Sequence, residues 1–316
     1  MTAVAVLAAY PVVAAIVLPR LLSGGGWAER APRLAILLWL AACGSVVVSV
    51  LLAAFALAVP ASVIGHGLAA LFAACAAWLT HGPGMTTTTT GIALAVAGAV
   101  AARIVYRAAV VFTRARTERR RHAEMLALLG RHDGLLDAIV VDYDERLAYC
   151  LPGRHGKAVI TTGALRNLSL EQVAAVLAHE QAHLRGRHHL VLAVAETLAT
   201  AFPGVPLFER ARAELARLIE LLADDVAARR HPRVLIATAL VGLATGRAPA
   251  FALGAGGDTA LARVRRMLNP EKPLARRQRL AGSFAIALLL AGPAVVALLP
   301  GLSSFLVHHC HRLLGL

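Results

Sequence analysis

Long apolar runs and one broad polar block alternate along this chain. Residues 3–19 are apolar throughout and end at Pro19-Arg20. Residues 34–59 form a second run, with Arg30 and Arg33 before it and Pro60 after it. Residues 91–112 form a third and residues 280–300 a fourth, the last preceded by a dense basic stretch. Each run is close to the roughly 20 residues that a helix needs to cross a bilayer. The pattern predicts four spanning helices, and a membrane region from residue 1 to 112. Residues 62–80 are a weaker apolar run, expected to be re-entrant or interfacial within an outer loop. Residues 113–279 hold nearly all the polar side chains and predict a separate domain; residues 301–316 are left as a short tail.

Composition sharpens this division. The chain has 316 residues, 58% of them hydrophobic and only 16% charged, with a mean hydropathy of +0.68 and a formal charge of +14. A soluble domain carries roughly a quarter charged residues. A disordered chain combines low hydrophobicity with high charge. Neither fits. A basic chain often binds nucleic acid, but such proteins are rarely this apolar, so no direct nucleic-acid contact is expected. The charge fits the rule that Lys and Arg gather on the cytoplasmic side. Arg20, Arg30 and Arg33 follow the first run, Arg114, Arg116 and Arg119–Arg121 follow the third, and Arg263–Arg279 precede the fourth. Four spans put all three groups in the cytoplasm at once, and the polar block with them. A fifth crossing at 62–80 would place the Arg114–Arg121 cluster outside. The first charge follows the first apolar run, which predicts a retained anchor rather than a cleaved leader.

Within the polar block, residues 138–149 and 157–162 are β-branched and bounded by turn residues, which predicts two strands. Ser169 followed by Gln172 forms a capping box that opens a helix running to about Arg187. A second helix is expected over about 207–230. The apolar runs 189–202 and 234–244 are too short to cross and predict buried helices. Cys43, Cys75, Cys150 and Cys310 show no metal-binding or disulfide spacing and are expected to be buried or idle. His308, His309, Cys310 and His311 resemble a metal clip, but their short tail offers no scaffold to preorganise one.

The predicted helix carries His179-Glu180-Gln181-Ala182-His183. Residues four apart share a helix face, so both imidazoles can grip one Zn²⁺. Glu180 sits on the flank, where it can take a proton from a water at the metal. The flanking residues are apolar, and two His and a Glu in a half-buried helix cost free energy unless a metal or partners satisfy them. A third ligand is needed. Glu220 is the best candidate, because it lies among Leu218, Ile219, Leu221 and Leu222, with Asp224 one turn on to hold a ligand His. Glu209 and Glu214 suit a solvated face with Arg212 and Arg217 as partners. His188 and His189 are rival ligands, expected instead to be capping or interfacial.

HExxH followed by Glu220-Leu221-Leu222-Ala223-Asp224, between membrane helices, resembles the M48/M56 zinc metallopeptidases. The phrases Ala178–Arg187 and Arg263–Pro270 resemble that group as well. Four spans with a protease block between the third and fourth resemble the M56 branch, the BlaR1/MecR1-type antirepressor proteases. The resemblance implies His179, His183 and Glu220 as zinc ligands, Glu180 as general base and Asp224 as the residue behind a ligand His. It implies a helical integral membrane protein of the plasma membrane, with a cytoplasmic α+β zincin-type (gluzincin-like) protease domain. Antibiotic-sensing members continue into a penicillin-binding domain. Here no Ser-x-x-Lys motif follows, so covalent β-lactam sensing is not expected. By analogy, Ala158–Thr162 is the strand expected to pair with the substrate backbone.

The function expected is zinc-dependent cleavage of a cytoplasmic protein or peptide, a BlaI-like repressor in the M56 version and a quality-control target in the M48 version. The alternative from another class is a non-catalytic transducer with a structural zinc site, which would not need Glu180. A transporter would place ionisable residues inside its spans. Only Arg103 and Arg107 do so, near a helix end where they can snorkel. The lipid bilayer is the other partner, with a homodimer left open.

Overall fold

A computed structural model describes residues 2–24, 26–58, 88–153, 156–243 and 257–314. The segment 62–80 lies outside the described residues, as do the side chains of His308, His309, Cys310 and His311. Among the described residues, four helices are long and apolar enough to cross a membrane: Val4–Ser23, Pro32–Leu57, Gly91–Leu129 and Arg276–Leu299. They belong to α1 (Thr2–Ser23), α3 (Pro32–Ala58), α4 (Thr88–Leu129) and α11 (Arg276–Leu314); a four-residue helix, α2 (Trp27–Arg30), links the first two.

The third span does not stop at residue 112. α4 continues for 42 residues in all. Its outer part is rich in helix-favouring Arg, Glu, Ala and Leu, and Arg120–Glu124 (3.1 Å) and Arg121–Glu118 (3.7 Å) pair along it. It ends at Gly130, where a Cβ would lie 2.5 Å from the Ile139 side chain and 2.6 Å from the Leu126 carbonyl. Arg103, inside the span, donates to the Ala201 carbonyl and so ties α4 to the end of α7 (His188–Ala201).

A four-stranded sheet follows: β1 (Gly130–Asp133), β2 (Ala138–Val141), β3 (Ala148–Leu151) and β4 (Lys157–Thr161), in the order β1-β2-β4-β3. The single strand expected over 138–149 is therefore two. Residues 142–147 instead fold over the end of β4. There Thr161 Oγ1 donates to the Glu145 carbonyl (2.6 Å) and accepts from Leu147 N (3.0 Å), while Gly163 N donates to the Tyr143 carbonyl (2.9 Å). The reversal carries the chain across β4, so β2 pairs parallel to it and β3 antiparallel. This corrects the assignment of the substrate-pairing strand. β4 has a neighbour on both sides; the edges are β1 and β3, and β3 is the edge next to β4.

After the short α5 (Thr162–Asn167) come α6 (Leu170–Arg185), α7, α8 (Pro206–Ala227), α9 (Arg233–Leu243) and α10 (Gly257–Leu268). As the pattern predicts, α7 and α9 bury Ala195, Ala199, Ile236 and Ala237. The largest core cluster joins Trp39 and Ala42 of α3 to Leu215, Leu218 and Ile219 of α8. The helix that carries Glu220 is thus seated on α3, one of the helices long and apolar enough to cross a membrane. A second cluster seats α6 on the sheet through Val173, Val176, Val140 and Ile160. A third joins α6, α8, α9 and α10 around Ala175, Ala227, Ile236 and Met267.

Candidate metal centre

Helix α6 starts where the sequence says it should. Ser169 Oγ accepts from Gln172 N and the Gln172 side chain accepts from Ser169 N, a complete capping box. The helix buries Val173, Val176 and Leu177 beneath the sheet and turns His179 and His183 to face α8. On α8, burying Leu218, Ile219 and Leu221 fixes the rotation of the helix and carries Glu220 and Asp224 inward, where they are 8% and 0% exposed.

His179, His183 and Glu220 meet at one point, each offering a ligand atom within 4.8 Å of the others. The two imidazole Nε2 atoms are 3.0 Å apart, and each faces the Glu220 carboxylate at 3.4–3.5 Å. The opposite ring edges are held as well. His179 Nδ1 lies 3.0 Å from Asp224 Oδ1, and His183 Nδ1 lies 3.1 Å from His188 Nδ1. Both Nε2 atoms therefore face Glu220. Two imidazole nitrogens and a carboxylate oxygen converging in a buried site, with a cavity on the open side, are the donor set that suits a catalytic zinc. Glu180 does not join them. It lines the adjoining cavity of about 580 Å³, together with Tyr149, Cys150 and Phe112.

The electrostatics follow from burial and these contacts. Burial opposes a charge on His179, but Asp224 and Glu220 outweigh it and push its pKa up to about 10. Burial, aided by the neighbouring His179, pushes His183 down to about 3. Burial raises Glu180 above the usual carboxylate range. Glu220 and Asp224 are held below it despite burial, chiefly by His179 and by Arg263.

Arg263 stands in the sequence among the topology charges before the fourth span and opens a stretch that resembles the peptidase group, without an assigned role; in the structure it is 7% exposed and lies in the centre. Its guanidinium grips Asp224 with two bonds (Nε–Oδ2 2.8 Å, Nη2–Oδ1 2.7 Å) and reaches Glu220 Oε2 at 2.9 Å. The sequence signal was its place four residues before Met267 on one face of α10, the face that packs inward. Cys150, expected to be buried or idle, sits on β3 against the cavity, where burial and the charge of Glu180 raise its thiol to about 12. Tyr149 Oη and His122 Nε2, 2.7 Å apart, link β3 to α4 beside the same cavity. Of the rival ligands, His188 backs His183, and His189 lines the cavity rim. Glu214 pairs with Arg217 at 3.0 Å as expected, whereas Arg212 pairs with Glu196 at 3.2 Å and Glu209 accepts from Gly204 N.

Residues 113–223 match the model of Peptidase family M48, a stretch that includes His179, Glu180, His183 and Glu220 and ends just before Asp224. A protease HtpX homolog of Burkholderia multivorans is 34% identical over 106 residues, covering 33% of this chain and 36% of that protein. The chain thus spans about a third of the length of that curated relative. No solved structure matches. Over the block that holds the buried His179–His183–Glu220 cluster, and with helices long enough to cross a membrane, the chain is similar to membrane metallopeptidases of the M48 and HtpX type.

Proposed function

We propose that the protein is an integral-membrane zinc endopeptidase that hydrolyses peptide bonds of a protein on the cytoplasmic side. The observation that carries this reading is the convergence of His179, His183 and Glu220 on one buried point, with Glu180 beside them in the cavity. His179, His183 and Glu220 would hold the metal. When bound, zinc polarises the scissile carbonyl and makes a water at the site acidic enough to attack near neutral pH. Glu180 takes the proton from the attacking water, a task suited to a carboxylate whose pKa burial has raised. As the C–N bond breaks, Glu180 returns that proton to the leaving nitrogen. Asp224 fixes the tautomer and angle of His179, and Arg263 fixes Asp224.

The free edge of β3 gives the substrate main-chain partners. Its residues line the cavity, and a strand added there extends the sheet. Phe112, Val111 and Leu192 form an apolar wall that limits water. The cytoplasmic setting rests on where the Arg residues fall. The narrower M56 version, cleavage of a BlaI-like repressor, rests on the four-span layout alone, and adding such a repressor to the assay decides it.

The test is metal analysis and proteolysis on the full chain in detergent, for wild type and Glu180→Gln. The expected result is about one zinc per chain in both and cleavage in the wild type only. Cleavage by the variant at the wild-type rate would remove Glu180 from the reaction. Zinc in both without cleavage by either would favour the structural-site transducer.

A further inference from the structure

Beside the catalytic cavity lies a second, larger cleft of about 1280 Å³. Its cationic lining is Arg116, Arg119 and Arg120 of α4, Lys157 of β4, and Arg185 and Arg187 at the end of the HExxH helix. No Asp or Glu is among the described residues that line it. Two of the six cations have carboxylate partners outside the cleft: Lys157 with Asp137 (2.7 Å) and Arg120 with Glu124 (3.1 Å). Arg119 donates to the Ala115 carbonyl of its own helix and Arg185 to the Gln181 side chain. Arg116, Arg119, Arg185 and Arg187 have no carboxylate partner among the described residues. Four guanidinium groups line one hollow without a carboxylate among its described lining residues, which makes its potential positive. That arrangement favours an anionic occupant.

The cleft is continuous with the catalytic site. Arg119, Leu151, Pro152 and His189 line both hollows. β3 runs from the catalytic cavity toward the cleft and ends at Leu151, on their shared wall. A chain added antiparallel to β3, as β4 already pairs on its other side, runs from the cleft toward Glu180, and its residues N-terminal to the scissile bond occupy the cleft.

We infer that this cleft recognises an acidic stretch of the protein substrate on the N-terminal side of the cleaved bond. This rests on the endopeptidase reading and deepens it by naming a substrate class. A bound peptide reaching the cleft by extending β3 accounts for both the charge and the continuity. A lipid head group would account only for the charge.

The test uses the full chain in nanodiscs of zwitterionic lipid. A peptide library with a randomised core carries either a Glu/Asp-rich, an Ala-rich or a Lys-rich N-terminal flank, and cleavage is read by mass spectrometry. The expected result is a kcat/KM about tenfold or more higher for acidic flanks at low salt, falling as salt rises. Charge reversal at two exposed positions, Arg116→Glu with Arg185→Glu, should erase the preference for acidic over Ala-rich flanks, with zinc content unchanged as the check on folding. Binding of a fluorescent Glu-rich peptide to Glu180→Gln protein gives a readout that needs no catalysis. Equal cleavage of all three flanks overturns the inference and leaves the protease reading intact. Failure to cut any peptide overturns the protease reading, and peptide binding then judges the cleft alone. Loss of peptide binding when phosphatidylglycerol replaces the zwitterionic lipid, with no flank preference, assigns the cleft to lipid and overturns the inference.

Discussion

His188 Nδ1 lies 3.1 Å from His183 Nδ1, so one candidate ligand is positioned by a second histidine five residues along the chain. Burial lowers the pKa of both rings, so both are neutral near pH 7. His183 can offer its Nε2 lone pair only if Nδ1 carries the hydrogen. His183 therefore donates to His188, whose own hydrogen sits on Nε2. Replacing His188 by Ala should lower zinc affinity about 10–100-fold. Gly186→Ala should do the same indirectly, because its Cβ would lie 2.3 Å from the His188 ring. Competitive zinc titration checks both; unchanged affinity in His188→Ala would end the positioning role.

Arg263 joins Asp224 and Glu220, which come from a different helix. Removing it leaves Asp224, 0% exposed, without its main counter-charge. Arg263→Ala should cost about 3–5 kcal/mol, the range for breaking a buried ion pair. Arg263→Lys should recover only part of that, since Lys cannot bond both carboxylate oxygens in the same fork. Thermal unfolding of metal-free protein reads the difference.

In the proposed zinc site, proton and metal would compete at His179. Its pKa in the folded, metal-free protein is pushed from 6.5 up to about 10. The stability this proton contributes is fully present below pH 6.5 and is lost as pH rises through about 10. Zinc must displace that proton, so apparent zinc affinity should rise about tenfold per pH unit across this window. A pH-independent affinity would show that His179 is not protonated in the metal-free site.

On the endopeptidase reading proposed above, Glu180 sets the acid limb of activity. Its pKa is raised by burial, and a general base works only when ionised. The kcat/KM profile should therefore fall at a pH above the ordinary carboxylate range as acid is added. A profile flat down to ordinary carboxylate pH would contradict the buried base.

Two of the candidate spans, α11 and α3, meet closely at Gly282. A Cβ there would lie 2.7 Å from Leu34 Cδ2, so α11 packs on α3 through a bare backbone. Gly282→Ala should destabilise by about 1–3 kcal/mol through overpacking. Leu34→Ala in the same chain should relieve most of it, a coupling read by a double-mutant cycle in detergent.

What the chain discloses in its linear order is whatever depends on spacing alone. Hydrophobic runs near the bilayer thickness marked the four long helices, because run length and span length are the same quantity. Ser169 and Gln172 marked the start of α6, because a capping box closes within one turn. His179 and His183 share a face by helical periodicity, and Glu220 and Asp224 by the same rule. Sequence could not decide which residues from distant segments stand behind these. Arg263 lies 84 positions from His179, in a basic stretch before a span; only the packing of α10 against α9, with Met267 reaching Ala175 and Ala227, made it part of the centre. The loop 142–147 split a strand-like run in two, because Thr161 and Gly163 offer it partners from beyond the next strand. That split moved the sheet edge from β4 to β3. Local periodicity fixes which face a side chain occupies, while long-range contacts fix what that face meets.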